Sequence, residues 1–203
     1  MERHAPPLAY RIRPECVDEL IGQDDARNLI ESFIAGNNRS VILWGPPGTG
    51  KSSFAHIIER LYPESYFSIS AVTSGVQDIR RVTKHAHSTA SPPLVFIDEV
   101  HRFNRVQQDA LLPFVERGDI VLIGATTENP SFSITSPLLS RLQVILFKPL
   151  APHDIEKILK RALECDEDLK SLGKIVSDQS IRAISRAADG DARAALNLLE
   201  LAI

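Results

Sequence analysis

The chain has 203 residues, 43% of them hydrophobic and 24% charged, with a net charge of −3 and a pI near 6.1. This is an ordinary globular balance, with room for one domain and a smaller second unit, and it excludes a global attraction to nucleic acid, so any such contact must come from a local patch. Cys16 and Cys165 form no metal or redox motif, no apolar stretch approaches the length of a membrane span, and the start, Met-Glu-Arg-His-Ala-Pro-Pro, has no apolar signal core; a reducing cytoplasm without membrane attachment is expected.

The lead-in, residues 1–20, carries Pro6, Pro7 and Pro14 and reads as extended or turning. Residues 18–35 look helical in pieces, broken near Gly22. The apolar run 41–44 is a strand candidate, and residues 45–52 follow it as Gly45-Pro46-Pro47-Gly48-Thr49-Gly50-Lys51-Ser52, then Ser53. The string fits G-x-x-x-x-G-K-[ST], and Phe54, Ile57, Ile58 and Leu61 continue with helical spacing. A strand, a glycine-rich loop and a helix start are the setting a phosphate-binding loop needs. Its glycines let backbone N–H groups turn inward around a phosphate, and the helix dipole adds positive potential. Lys51 can reach the β- and γ-phosphates, and the Ser52 hydroxyl can ligate Mg²⁺, a hard ion that prefers oxygen.

A second strand candidate covers 66–70, and a helical pattern covers 76–87. Residues 94–97 are four consecutive apolar residues, as suits a strand buried on both faces of a parallel sheet. Asp98 and Glu99 end it, where ligands of such sheets bind. Asp98 would hold the magnesium shell, and Glu99 would polarise the water attacking the γ-phosphate. Binding needs only the first carboxylate, so the second points to hydrolysis. A helical pattern over 105–116 leads to a strand at 120–125, ending in Thr126-Thr127-Glu128-Asn129-Pro130. Thr127 is the hydroxyl chosen to bond the attacking water or the γ-phosphate. Ser140-Arg141 precedes the last strand, 144–147. Arg141 is open to two readings, a surface residue or an arginine finger for a neighbouring subunit, a role worth about 10³–10⁵ in rate.

Strands alternating with helices imply βαβ units, so the expected fold is α/β, with a five-stranded parallel sheet flanked by helices. After Lys148-Pro149-Leu150-Ala151-Pro152 the pattern turns purely helical, at 153–165, 178–188 and 191–202. The expected division is 1–150, the nucleotide-binding unit, and 151–203, a small helical lid. Gly190 can end one lid helix in a left-handed turn and Asp191 can cap the next. Arg193 then falls in a helix first turn, where cations are disfavoured; a nearby triphosphate would explain it.

Taken together, the loop 45–52, Asp98-Glu99, Thr127, Ser140-Arg141 and Gly190-Asp191-x-Arg193 resemble the AAA+ ATPases. Arg13-Pro14 and Asp18-Glu19-Leu20-Ile21-Gly22-Gln23 resemble the clamp-loader branch, in which this segment, here Ile21 and Gly22, cups adenine. The strings Asp98-Glu99-Val100-His101-Arg102-Phe103-Asn104 and Gly124-Ala125-Thr126-Thr127-Glu128-Asn129-Pro130-Ser131-Phe132 are similar to the RarA/MgsA family and its eukaryotic relative, the Werner-helicase-interacting ATPase. The resemblance runs from about residue 7 to 203. It implies ATP and Mg²⁺ as cofactors, Lys51 and Ser52 on phosphate and metal, Asp98 on the metal, Glu99 as base and Thr127 as first sensor. It further implies Arg193 as second sensor and Arg141 as a finger acting across a subunit interface. Members are homotetramers of the bacterial cytoplasm and nucleoid that act at forks, gaps or ends of DNA and associate with single-strand-binding protein. Two departures stand out. The segment between Gln23 and Val41 is short for the family, and the chain stops after the second-sensor helix, where members continue into an oligomerisation domain. The expectation is an excised ATPase core, monomeric and weakly active alone.

For DNA, Arg80, Arg81 and Lys84 lie in the helical pattern after Val76, and Arg102 follows the acidic pair. In clamp loaders helices in these places face the DNA channel, although a solvated helix face would look the same. His101 reads either as a coupling residue between DNA and Glu99 or as a polar strand-end residue. The expected function is an ATPase for replication-fork maintenance, repair and recombination. The alternatives are a RuvB-like ATPase, whose family shares Gly-Ala-Thr-Thr, or a clamp-loader ATPase, and an ATP-gated scaffold for single-strand-binding protein or replisome partners.

Overall fold

The structure, a computed structural model, describes residues 6–71, 77–78, 81–82, 91–170 and 176–202. Five strands form one sheet: β1 (Val41–Trp44), β2 (Tyr66–Ser70), β3 (Leu94–Asp98), β4 (Val121–Thr126) and β5 (Gln143–Leu146). Their order is β2-β3-β4-β1-β5 and every pairing is parallel. The three central strands are the continuous apolar runs, because both of their faces are covered; all six residues of β4 are buried. Val41, Leu43, Phe96 and Ile123 face a core shared with helices α2 (Asp24–Ile34) and α3 (Lys51–Leu61). Ile42, Val95, Ile97 and Leu122 face the opposite core, with Val100, Leu111 and Leu138. Alternate residues of one strand thus supply two cores.

Register sets the site. Ile97 pairs with Gly124, and Gly124 pairs with Ile42. Counting onward from that row, Asp98, Thr126 and Gly45 emerge within three residues of one another at the carboxyl edge. Phe54 of α3 lies between Phe33 and Phe147 in edge-to-face contacts, with centroids 6.4 and 6.3 Å apart. Such pairs add about 0.5–1.5 kcal/mol beyond area burial, and here they fix the helix into which the glycine-rich loop runs.

The pattern over 105–116 becomes two helices, α4 (Arg105–Asp109) and α5 (Leu112–Glu116). Pro113 has no N–H for the Asp109 carbonyl and its ring would crowd that oxygen, so the helix must restart. Asn104 and Gln107 close a reciprocal capping box on α4. Short helices α6 (Pro130–Ser133) and α7 (Ser136–Leu139) follow β4. Of the expected helix 76–87, residues 77–78 and 81–82 are helical, and the others lie outside the described residues.

Helices α8 (Pro152–Cys165), α9 (Asp178–Ala187) and α10 (Ala192–Ala202) pack around Ile155, Leu159, Ile181, Leu196 and Leu199. The lead-in, placed by the sequence with residues 1–150, joins this cluster. Leu8, in α1 (Leu8–Arg11), and Ile12 are both buried there, each contributing about 1.5–3 kcal/mol. Polar groups fasten the same segment. The Leu8 amide donates to Glu200 Oε1 at 3.1 Å, and Arg11 reaches both Asp166 oxygens, at 2.7 and 3.2 Å. Arg161 donates to the Ile12 carbonyl at 2.7 Å and pairs with Glu19.

The hydrogen bond from Arg11 holds the Asp166 carboxyl below its ordinary value. The charged form is therefore favoured by folding. That stability is present above the unfolded value, about 3.9, and is lost as pH falls through the lowered one. Asp166→Asn should lower the melting temperature at pH 7 by several degrees. In melts run from pH 7 downward, the gap between variant and wild type should narrow once the pH falls below about 4.

Candidate active site

The loop between β1 and α3 begins where the Gly45 amide donates to the Thr126 carbonyl at 3.3 Å. Gly48 has φ of 67° and Gly50 of 105°, conformations that cost most other residues roughly 1–2 kcal/mol. Lys51 is 8% exposed, and its ammonium donates to the carbonyls of Gly45 and Pro46, each at 2.7 Å. Burial pushes this ammonium below its usual value, while Glu99 and Asp98 pull it back up. The Thr49 hydroxyl donates to the Pro46 carbonyl at 2.8 Å. The first intrahelical bond runs from the Phe54 amide to Gly50. The amides of Lys51, Ser52 and Ser53 thus lie in the first turn, which has no helical carbonyl to serve.

Gln23, 4% exposed, staples this loop to the end of the sheet. Its amide nitrogen donates to the carbonyls of Thr49, at 3.1 Å, and Lys148, at 2.7 Å, and its oxygen accepts from the Lys148 amide at 3.2 Å. In the sequence, Gln23 carries no signal beyond its place at the end of the string 18–23. Its value rests on a partner 125 positions away, which no local pattern reveals.

At the tip of β3, Asp98 Oδ1 accepts the Glu99 amide at 3.1 Å. Glu99 is left-handed, with φ of 52°. The chain therefore turns sharply into a 3₁₀ turn, Val100–Arg102, instead of continuing the strand. This brings the His101 ring beside Glu99, with Nδ1 3.2 Å from Oε2. At the tip of β4, Thr126 is fully buried, its hydroxyl 2.9 Å from the same His101 nitrogen. Thr127, the next residue, lines the cleft. A second buried side-chain amide, Gln108, bonds the Phe103 and Ser133 carbonyls and the Thr135 amide, tying the segments after β3 and β4 together.

The lid closes the other side. Gly190 has φ of 85°, and Asp191 caps α10 by accepting the Ala194 amide at 2.9 Å. Asp191 also presses on the loop. A Cβ added to Gly48 would sit 1.7 Å from its Oδ1, and the Ala192 amide donates to the Gly48 carbonyl at 3.1 Å.

The resulting cleft has a volume of about 730 Å³. Tyr10 and Arg13 of the lead-in line it, with the loop, the strand tips and the lid's Arg193 and Leu196. Of the residues picked from the sequence, Pro47, Gly48, Thr49, Gly50, Lys51, Ser52, Ser53, Ile21, Asp98, Glu99, Thr127 and Arg193 meet there. Gly45 and Pro46 stand behind the loop as acceptors for Lys51. Gly22 turns with φ of 76° against Leu150 and Asp154. Arg141 lies elsewhere, paired with Glu116 at 2.5 Å and donating to the Pro137 carbonyl at 2.7 Å. Arg102 is exposed, Arg81 pairs with Asp78 at 3.3 Å, and Arg80 and Lys84 fall outside the described residues. Ser52 and Asp98 offer oxygen only, which suits a hard Mg²⁺ sharing its shell with phosphates. No cluster of three or more His, Cys, Asp or Glu able to hold a metal occurs among the described residues, so a cation here would draw its other ligands from nucleotide and water.

A parallel sheet with a phosphate loop at its carboxyl edge, facing an acidic strand tip and a helical lid, defines a nucleotide-binding ATPase module. Residues 41–150 match the family described as "ATPase family associated with various cellular activities (AAA)", and the chain belongs to that family. It is 47% identical over 204 residues to replication-associated recombination protein A of Escherichia coli K12, covering 96% of this chain and 45% of that one. It is 40% identical to ATPase WRNIP1 of Dictyostelium discoideum, covering 97% of this chain and 23% of that one. Among solved structures it resembles the RuvB Holliday junction branch migration motor of Thermotoga maritima, with TM-score 0.73 and 29% identity. That likeness covers 93% of this chain and 64% of that one. The chain spans less than half the length of these two curated relatives. Among the described residues, no helix is long and apolar enough to cross a membrane.

Gln23→Ala should cost about 1–3 kcal/mol, because it leaves buried loop and sheet groups without partners. Denaturant melts should show that loss, and nucleotide titration should show weaker ATP binding, since the loop loses its outer support.

Proposed function

We propose that this chain is the ATP-hydrolysing core of a replication-associated recombination ATPase, serving fork maintenance, repair and recombination. The observation that carries the reading is the meeting of Lys51, Asp98, Glu99, Thr127 and Arg193 in one cleft. Loop amides and Lys51 bind the β- and γ-phosphates. Glu99 takes the proton of a water attacking the γ-phosphate in line, and Thr127 orients that water. Arg193, borne on the lid, reads the γ-phosphate and stabilises charge as the bond breaks. Mg²⁺, held by Ser52 and Asp98, would neutralise phosphate charge. Positioning and electrostatics supply the rate, and the protein forms no covalent intermediate.

The identity to replication-associated recombination protein A supports the cellular role. On the resemblance to the RarA/MgsA family, the proposal extends to a homotetramer for a longer protein, with Arg141 entering a neighbour's site, DNA forks, gaps or ends as the stimulating partner, and single-strand-binding protein as an associate. Arg102 and Arg81 are exposed and suited to phosphate contacts, each of which would add salt dependence. The proposed setting is a bacterial cytoplasm and nucleoid. A RuvB-like motor has the structural likeness in its favour, but the sequence identity is lower than to replication-associated recombination protein A, 29% against 47%.

Glu99→Gln should retain ATP binding and lose about 10²–10⁴ in turnover, while Lys51→Ala should weaken binding itself. Calorimetry and phosphate release separate the two. Normal turnover by Glu99→Gln would remove the base assignment. Arg141→Ala should leave this chain unaffected and cripple a longer, assembled protein. Equal losses in both would place Arg141 in its own subunit's site. Forked DNA should raise turnover of the longer protein; a response to single-strand-binding protein alone would point to a scaffold.

A further inference from the structure

We infer that His101 is a positioning residue for hydrolysis, whose ring Nδ1–H fastens the Glu99 carboxylate to the tip of β4. This rests on the reading of Glu99 as base. The His101 side chain is 7% exposed, so packing holds its ring in place. Its Nδ1 lies 3.2 Å from Glu99 Oε2 and 2.9 Å from Thr126 Oγ1. Oε2 is buried and makes no well-aligned hydrogen bond among the described residues. The imidazole is the donor poised beside it, its one Nδ1–H shared between Oε2 and the closer Thr126 Oγ1.

The tautomer follows from the surrounding partners. Thr126 Oγ1 accepts the Glu128 amide at 3.0 Å and directs its own proton to the Glu128 carbonyl at 3.3 Å. The hydroxyl therefore presents a lone pair to His101, and Nδ1 carries the proton. A carboxylate oxygen on the same side requires the same choice, because an unprotonated nitrogen would repel it. The other ring nitrogen, Nε2, lies 3.8 Å from Glu128 Oε1. Glu99 and Glu128 thus flank the ring from the two strand tips.

A glutamate has several rotatable bonds, and a base must be held close to its working geometry. Fixing Oε2 at the wall leaves the rest of the carboxylate to the cleft, where Glu99 lines the surface. The tether also links two strand tips. Glu99 follows β3, Thr126 ends β4, and Thr127 is the next residue. Base and water-orienting hydroxyl are thereby joined through one imidazole. The left-handed turn at Glu99 makes this possible, because it folds residue 101 back towards residue 99.

The contact is tested first without nucleotide. Long-range ¹H–¹⁵N spectra of the chain should show His101 protonated at Nδ1, with shifts that move in Glu99→Gln and in Thr126→Val. An unprotonated Nδ1, or shifts indifferent to both changes, overturns the inference even if Glu99 proves to be the base. Kinetics test the role. His101→Ala should lower kcat about 10–100-fold with ATP affinity within twofold of wild type. His101→Asn, whose amide nitrogen stands where Nδ1 stood, should recover most of the rate, and His101→Gln, which reaches towards the Nε2 position, should not. Wild-type kcat in His101→Ala beside a dead Glu99→Gln overturns the positioning role alone. Wild-type turnover in Glu99→Gln removes the base reading instead. Equal rates for the Asn and Gln variants would reduce His101 to packing.

Discussion

A loop that turns its amides towards a phosphate must find partners for its carbonyls on the outside, and in this chain those partners come from four places. The Gly45 and Pro46 oxygens take the Lys51 ammonium, and Pro46 also takes the Thr49 hydroxyl. The Gly48 oxygen takes the Ala192 amide of the lid, and the Thr49 oxygen takes Gln23. An unpaired buried carbonyl costs about 1–3 kcal/mol, so the loop holds its shape only while these donors stay in place. The shape of the loop consequently depends on the residue that precedes α2, on α3 and on the lid together, and not on its own eight residues alone.

The same arrangement ties nucleotide chemistry to shape. Asp191 caps α10 and sits against Gly48, and Arg193 follows two residues later, lining the cleft. Rotating the lid must therefore disturb both the loop and the cation facing it. The lead-in would move with the lid, because Leu8 and Ile12 are buried in its core and Arg11 is bonded to Asp166. Tyr10 and Arg13, carried on that lead-in, form part of the cleft wall. In the proposed function a nucleotide would lie between the sheet edge and a lid with its own attached strap, a geometry suited to turning phosphate state into domain orientation.

Much of this was legible in the residues. The three central strands stood out because both of their faces are buried, which leaves unbroken apolar runs. The loop stood out because its glycines, lysine and serine have no common alternative in that spacing. What stayed hidden depends on contacts made across the fold. Gln23, Gln108 and His101 are ordinary polar residues until the sheet brings the ends of its strands together. The lead-in looked like part of the first unit because sequence proximity was the only guide; its burial against α10 joins residues 192 positions apart. The break between α4 and α5 was readable in principle, since Pro113 sits inside the helical pattern, but apolar periodicity masked it.

Arg141 shows how magnitudes bear on a question that position alone leaves open. Its guanidinium is occupied within its own chain by Glu116, the Pro137 carbonyl and the Ser140 hydroxyl. If that pair were strong, an arginine so held could not serve a neighbour's phosphate. Both side chains are open to water, however, at 40% and 46% exposure, and solvated pairs of this kind contribute about 0–1 kcal/mol. An arginine finger is worth about 10³–10⁵ in rate, or roughly 4–7 kcal/mol at 1.36 kcal/mol per tenfold. In the proposed assembly the exchange of Glu116 for a developing phosphate charge is therefore downhill.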